Sequence, residues 1–225
     1  MEKLLRQQVI QLAEAQGNVS GYDLSGLDLR DLEFIAVVFK NCKMWGTNLS
    51  GANCSMSDFA NSDISESNMS SANFTGASFR NAQIYNSDLT FSSFIGADFT
   101  GAKLGSTDFT NSKISTALFE SAELNECNLQ MTEALLIKAS GAILRELKAY
   151  RSSMIGANFS GAYLQKAMLH GTDLSGANLS SADLRESSLI ETIFTATDLS
   201  NADLRGSAQR GMDTKRANLS GVKTG

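Results

Sequence analysis

The side chains able to do chemistry are few. There is one histidine, His170, and there are three cysteines, Cys42, Cys54 and Cys127. One imidazole without a neighbouring nucleophile and orienting acid does not make a Ser-His-Asp or Cys-His relay. One histidine with three scattered thiols supplies no zinc ligand set. Carboxylates are plentiful, and a close pair of them is the usual apparatus of acid–base catalysis. Yet Asp58, Asp63, Asp98 and Asp183 are separated by multiples of five residues. The Asn-x-Ser/Thr triplets, among them Asn48-Leu49-Ser50 and Asn73-Phe74-Thr75, keep the same spacing. Such regularity marks a structural repeat, and no catalytic, cofactor-binding or metal-binding residue is assigned. The glycines are also spaced by the repeat and form no phosphate-cradling loop.

The repeat itself is explicit. Every fifth residue from Leu24 to Leu219 gives 40 positions, of which 34 are Leu, Phe, Ile or Met; the exceptions are Cys54, Ala134, Ala139, Ala149, Gln209 and Thr214. Two residues before each lies a second series of small side chains, such as Ala52, Ala72, Ala77 and Ala97. A period of five is neither the 3.6 of an amphipathic helix nor the 2 of a flat strand. It requires a chain that turns a corner every five residues, with one large and one small side chain inward and three outward. Glycines such as Gly76, Gly96, Gly156 and Gly176 fall at the expected corners, where freedom from Cβ sterics helps.

Phenylalanine gives the number of sides. Eleven of the twelve occupy the large inward series, Phe91 being the exception. Phe39, Phe59, Phe79, Phe99, Phe119 and Phe159 share one phase of a twenty-residue period, and Phe34, Phe74, Phe94 and Phe194 share the next. Four sides of five residues therefore make one coil. The chain holds about ten coils, roughly 48 Å of stack at the usual interstrand spacing. Stacking buries like residues on like, and that burial drives folding.

Segments such as Ala72-Asn73-Phe74-Thr75-Gly76, Ala97-Asp98-Phe99-Thr100-Gly101 and Ala157-Asn158-Phe159-Ser160-Gly161 resemble the A(D/N)LXX consensus of the pentapeptide-repeat family. The resemblance covers about residues 22 to 206 and 217 to 221. It implies an all-β fold, the right-handed quadrilateral β-helix, with handedness taken from the resemblance alone.

Residues 3–16 are expected to form an α-helix with Leu5, Val9 and Leu12 on one face and Gly17 as its stop. Residues 1–17 then read as a cap on the open end of the stack, with partner binding as the alternative role. Residues 18–225 form the β-helix, with irregular segments near 131–153 and 207–216. In the first, Thr132-Glu133-Ala134-Leu135-Leu136-Ile137-Lys138-Ala139 has high helix propensity. An inserted helix or a degenerate coil both account for it. The five-residue register survives, and large and small exchange places at Ile137/Ala139 and Leu147/Ala149, which conserves volume and favours the coil. The second segment reads as a fraying last coil or an outward loop.

The chain has 225 residues, a net charge of −5 and no proline, and is too apolar for a disordered polymer. It shows neither an apolar leader nor a run long enough to span a membrane, so a soluble cytoplasmic protein is expected. An odd number of cysteines fits a reducing compartment. A mild acidic excess argues against direct nucleic-acid binding.

What remains is surface. On the side of Phe34, Phe74 and Phe94, the outward positions include Ile35, Met56, Ile95, Leu135, Leu136 and Ile155. The equivalent positions beside Phe39 are Lys40, Ala60, Arg80, Thr100, Glu120, Ser140 and Ser160. An apolar wall of this kind marks an interface, with a protein partner or a second copy forming a homodimer, unless a local segment covers it. The expected function is non-enzymatic: a binding or scaffold protein presenting a β-helical surface to a macromolecule. Two alternatives stand beside it, the first of them implied by the resemblance. One is a DNA mimic that binds DNA gyrase or another type II topoisomerase, and the other is a bacterial effector delivered to host cells. A rod 48 Å long would match roughly 28 phosphate charges of duplex DNA, whereas here 24 acids are offset by 19 bases.

Overall fold

The computed structural model describes all residues, Met1–Gly225. From Asn18 to Asp203, every fifth residue pairs in parallel with the residue twenty positions later, ending with Asp203 on Lys223. This is a right-handed quadrilateral β-helix. Coils are numbered 1 to 10 from the one containing Leu24, Leu29, Phe34 and Phe39, and each side is named by its coil 1 residue.

The hydrogen bonds explain why one coil needs the next. The N–H of each large inward residue donates to a carbonyl nineteen residues on, as Phe79 does to Asp98 (2.7 Å). The N–H of the residue before it donates back to a carbonyl twenty-one residues earlier, as Ser78 does to Ser57 (2.9 Å). Every side is thus a rung too short to stand alone, and stability comes from stacking.

The inward series behave as their sizes dictate. Phe39, Phe59, Phe79, Phe99 and Phe119 form a continuous ring stack, with centroids 4.9 to 5.0 Å apart and planes within 7° of parallel. Phe74 and Phe94 stack likewise on the adjacent side (5.0 Å). The two columns meet edge to face, as between Phe34 and Phe39. Where the small inward residue is Ser or Thr, its hydroxyl donates to a carbonyl twenty-three residues earlier at every position except Ser112, Ser187 and Ser207. Ser62 Oγ reaches Phe39 O at 2.6 Å and Thr197 Oγ1 reaches Leu174 O at 2.7 Å. Polar atoms inside the core are therefore almost all paired, as burial requires.

The outward Asp or Asn has a physical role too. Its Oδ1 accepts the N–H two residues on, as Asn48 does from Ser50 (3.0 Å) and Asp98 does from Thr100 (2.9 Å). That local bond holds the chain as it enters each corner. The corner residue itself lies in the left-handed region on every side, at φ 68° in Gly76 and 58° in Ser71.

At the N-terminus Lys3 pairs with Asp23, and Leu4 is buried. The helix α1, Arg6–Gln16, then replaces two sides of a coil before Asn18 rejoins the register over Val38. Val9 enters the core and Leu12 and Ala13 pack beside it. Arg6 Nε donates to the carbonyl of Asp28 (2.9 Å), on a side that has no rung above it. Gly17, at φ 62°, closes the helix with its N–H on Ala13 O (2.9 Å). The helix begins three residues later than the sequence suggests. Leu5 lies before its first turn and is exposed, so Leu4, not Leu5, is the buried anchor.

Both weak segments take the coil alternative, in regular register. Across 131–153 there is no inserted helix: Glu133 pairs with Ser153, Lys138 with Asn158 and Lys148 with Met168, in unbroken register. Ile137 and Leu147 fill the core from the small position while Ala139 and Ala149 take the large one, and all four are buried. Inward volume overrides local helix propensity. Residues 207–216 likewise form a regular coil, with Ala208 under Ser188 and Asp213 under Ile193. Gln209 and Thr214 depart from the pattern because this coil is stacked on one side only.

Candidate interaction face

The candidate chemical groups are kept apart by the coil geometry. Cys42, Cys54 and Cys127 are free and buried. Cys42 and Cys127 lie in small inward positions, their thiols donating to Val19 O (3.0 Å) and Leu104 O (2.8 Å). Burial pushes the Cys127 thiol up to about 12 and raises Cys54 further, so neither is a thiolate at neutral pH. His170 is partly exposed on the wall, with Nε2 3.6 Å from a Glu191 carboxylate oxygen. No three His, Cys, Asp or Glu residues are gathered as a metal site. The Asp residues are used structurally: the Arg205 guanidinium beside Asp203 and the Arg185 guanidinium beside Asp183 hold both carboxyls below the usual range.

The apolar wall is real and larger than its sequence-predicted members. Ile35, Met56, Ile95, Leu136 and Ile155 are all exposed, by 38 to 64%, and Leu135 is half-buried among them. The same strip also contains Phe91 (65%), Met131 (55%) and Ile193 (36%). Eight of the fourteen exposed large apolar side chains thus lie on the Phe34 side or its two corners, whereas the inward column of the Phe39 side contributes one, Leu219, in the last coil. The three additions had a legible signal. Phe91 and Met131 are corner residues, and a corner belongs to the side it enters as much as to the side it leaves.

Backbone conformation sets four of these residues apart. Met56 (φ 59°), Phe91 (φ 59°), Met131 (φ 53°) and Leu136 (φ 57°) occupy left-handed corners. For a bulky side chain that conformation costs on the order of 1–2 kcal/mol relative to a right-handed one, a cost glycine avoids. They are the only large apolar residues among the 26 non-glycine corners. All four flank the Phe34 side. The other two corner columns are filled by glycine and polar residues, such as Asn41, Asn61, Asn81 and Ser121, or Glu66, Asn86, Ser106 and Glu126.

The face is not uniformly greasy. Asn73 Nδ2 donates to Asn53 Oδ1 (3.2 Å), whose own Nδ2 donates to Glu33 Oε2 (2.8 Å), forming a polar ladder along one margin. A groove of about 330 Å³ lies between this ladder and Phe91, lined also by Ser93, Asn111 and Lys113. Apolar ridges with polar margins are the usual anatomy of a recognition surface.

A stack of like rungs with a buried side-chain ladder defines the class: a β-helical repeat solenoid. The chain belongs to the pentapeptide repeat family, whose model matches residues 20–53, 52–90, 92–130, 142–180 and 173–207 in eight copies. The longest internal gap in the match, 131–141, is where Ala134 and Ala139 replace the large inward residue. Among solved structures the chain is similar to HetL, a pentapeptide repeat protein involved in heterocyst differentiation regulation in the cyanobacterium Nostoc sp. strain PCC 7120. The two are 23% identical, with 97% of this chain and 96% of HetL covered and a TM-score of 0.83. A thylakoid-lumen pentapeptide repeat protein from Arabidopsis thaliana is 34% identical over 38% of this chain and 60% of its own (TM-score 0.37). QnrB1, a plasmid-mediated fluoroquinolone resistance protein, is 19% identical over 64% of this chain and 85% of its own (TM-score 0.37). No curated protein matches the chain in sequence.

Proposed function

We propose that this protein is a non-enzymatic interaction scaffold that works in the cytoplasm and presents the Phe34 side to a macromolecular partner. One observation carries the reading: large apolar residues are held, exposed and in left-handed backbone, only at the corners that border this side. Neither folding nor solubility asks for Phe91 or Met131 there, since Gly or Asn would serve the turn better. Observed strain is a reason to look for function at the place that stores it. The topoisomerase alternative gains less support. Its acids would need to line one wall, yet Asp183 and Asp203 are each neutralised by Arg185 and Arg205 on the same wall.

The test is affinity capture from the native cell extract with the intact chain and with an Ile95→Asp/Ile155→Asp variant. The intact chain is expected to retain a specific protein that the variant loses, with both giving the same circular dichroism spectrum. Equal capture by both would remove this face from the function. A DNA gyrase supercoiling assay, with and without a quinolone, tests the topoisomerase alternative directly.

A further inference from the structure

We infer that the partner seated on the Phe34 side is a second copy of this chain, packed antiparallel about a two-fold axis between coils 5 and 6. The inference rests on the reading of this side as an interface and names its occupant. Isologous packing of two such walls sets each coil against its mirror number, so coil 4 faces coil 7 and coil 5 faces coil 6. Positions across the wall are preserved. Ile95 then faces Ile155 of the other copy, and Ser93 faces Ser153. Gly96 faces Gly156 and Gly76 faces Gly176, small corners that let the walls approach. Phe91 faces Arg151, an arrangement suited to a cation–π contact.

The charges decide between orientations. Lys113 and Glu133 are exposed neighbours on successive coils, paired through their backbones. They form no ion pair with each other or with any other residue. Antiparallel packing brings Lys113 of each copy to Glu133 of the other, twice over. Parallel packing would set Lys113 on Lys113 and Glu133 on Glu133. At the rim Glu33 faces Asp213, a like pair relieved by Lys215 and Arg216 on the same coil. A wall of about 48 by about 10 Å gives roughly 500 Å² per copy, or about 1,000 Å² in all. That is the lower limit for a specific interface, so the dimer is expected in the micromolar range.

The test is sedimentation of the full chain from about 1 to about 100 µM, a range bracketing that affinity. The wild type should pass from monomer to dimer, and Ile95→Asp should stay monomeric. Lys113→Glu and Glu133→Lys should each stay monomeric, because each gathers four like charges at the axis. Their equimolar mixture should restore the dimer, since each reversed charge then meets its opposite. Orientation is read by cysteine cross-linking, the native thiols being buried. Ile95→Cys mixed with Ile155→Cys should form a disulfide-linked dimer, while Ile95→Cys alone should not. A wild type that is monomeric throughout overturns the inference, as does a mixture that fails to associate or an Ile95→Cys chain that links to itself. The capture experiment is read separately. Retention of a different protein by a monomeric chain would keep the face as an interface and reject the second copy as its occupant.

Discussion

Replacing Phe79 by alanine tests the architecture most directly. Its ring is fully buried, stacked on Phe59 at 5.0 Å and on Phe99 at 4.9 Å, and tilted against Phe74 and Phe94 at 5.5 and 5.9 Å. Phe-to-Ala changes in cores cost about 3–5 kcal/mol, the larger values arising where the surroundings cannot collapse into the void. Here they cannot: coil spacing is fixed by the backbone bonds from Phe79 N–H to Asp98 O and from Ser78 N–H to Ser57 O, so neighbouring rings cannot close the gap. The upper half of that range is expected. Phe79→Leu keeps most of the volume but loses two stacked pairs, each worth about 0.5–1.5 kcal/mol beyond its area, so about 1–3 kcal/mol is expected. Phe91→Ala, at an exposed corner, should change stability by no more than about 0.5 kcal/mol. Guanidinium denaturation followed by far-ultraviolet circular dichroism measures all three. A cost below about 1 kcal/mol for Phe79→Ala, or one equal to that of Phe91→Ala, would refute the ring stack as the core of the fold.

Phe91→Gly and Leu136→Gly relieve left-handed strain while adding freedom to the unfolded chain, so each should be neutral or stabilising by up to about 1 kcal/mol yet weaken association; a clear loss of melting temperature would contradict the strain argument. Asp98→Ala removes the acceptor for the Thr100 N–H and the partner of Arg80 at 2.7 Å and should cost about 1 kcal/mol, which Asp98→Asn should largely recover in the same denaturation assay. The three buried thiols should not react with Ellman's reagent in the native state, and all three should react in guanidinium; a fast-reacting native thiol would show that the coil opens near it. Asp203, held at about 2 by Arg205, stabilises the fold above the ordinary carboxylate value near 4, and this contribution is lost as pH falls through about 2. Asp203→Asn should therefore flatten the acid limb of a stability–pH curve and lower stability by a constant amount above about pH 5, leaving the slope there unchanged.

Much of the molecule is legible in the sequence because a five-residue period is imposed by geometry and leaves nothing to chance. The phase of the phenylalanines gives four sides, and Ile137/Ala139 and Leu147/Ala149 reveal that volume, not order, is conserved inward. Local propensity misleads at Thr132–Ala139, where helix-forming residues lie in a coil because the backbone groups of the coils on either side need partners. It also misplaces Leu5, since a pattern of apolar residues cannot say which one leaves the rung and which begins the helix.

The sequence by itself determined the repeat, the coil size, the inward series and the six apolar positions of the Phe34 side, since each follows from counting in fives. Only the tertiary structure decided how far Phe91, Met131 and Ile193 stand exposed beside them, and that four of the wall's side chains sit in left-handed backbone. The reason is physical. Period fixes which way a side chain points, but corner conformation and coil stacking determine which columns meet across an edge, and these exist only when the chain is wound.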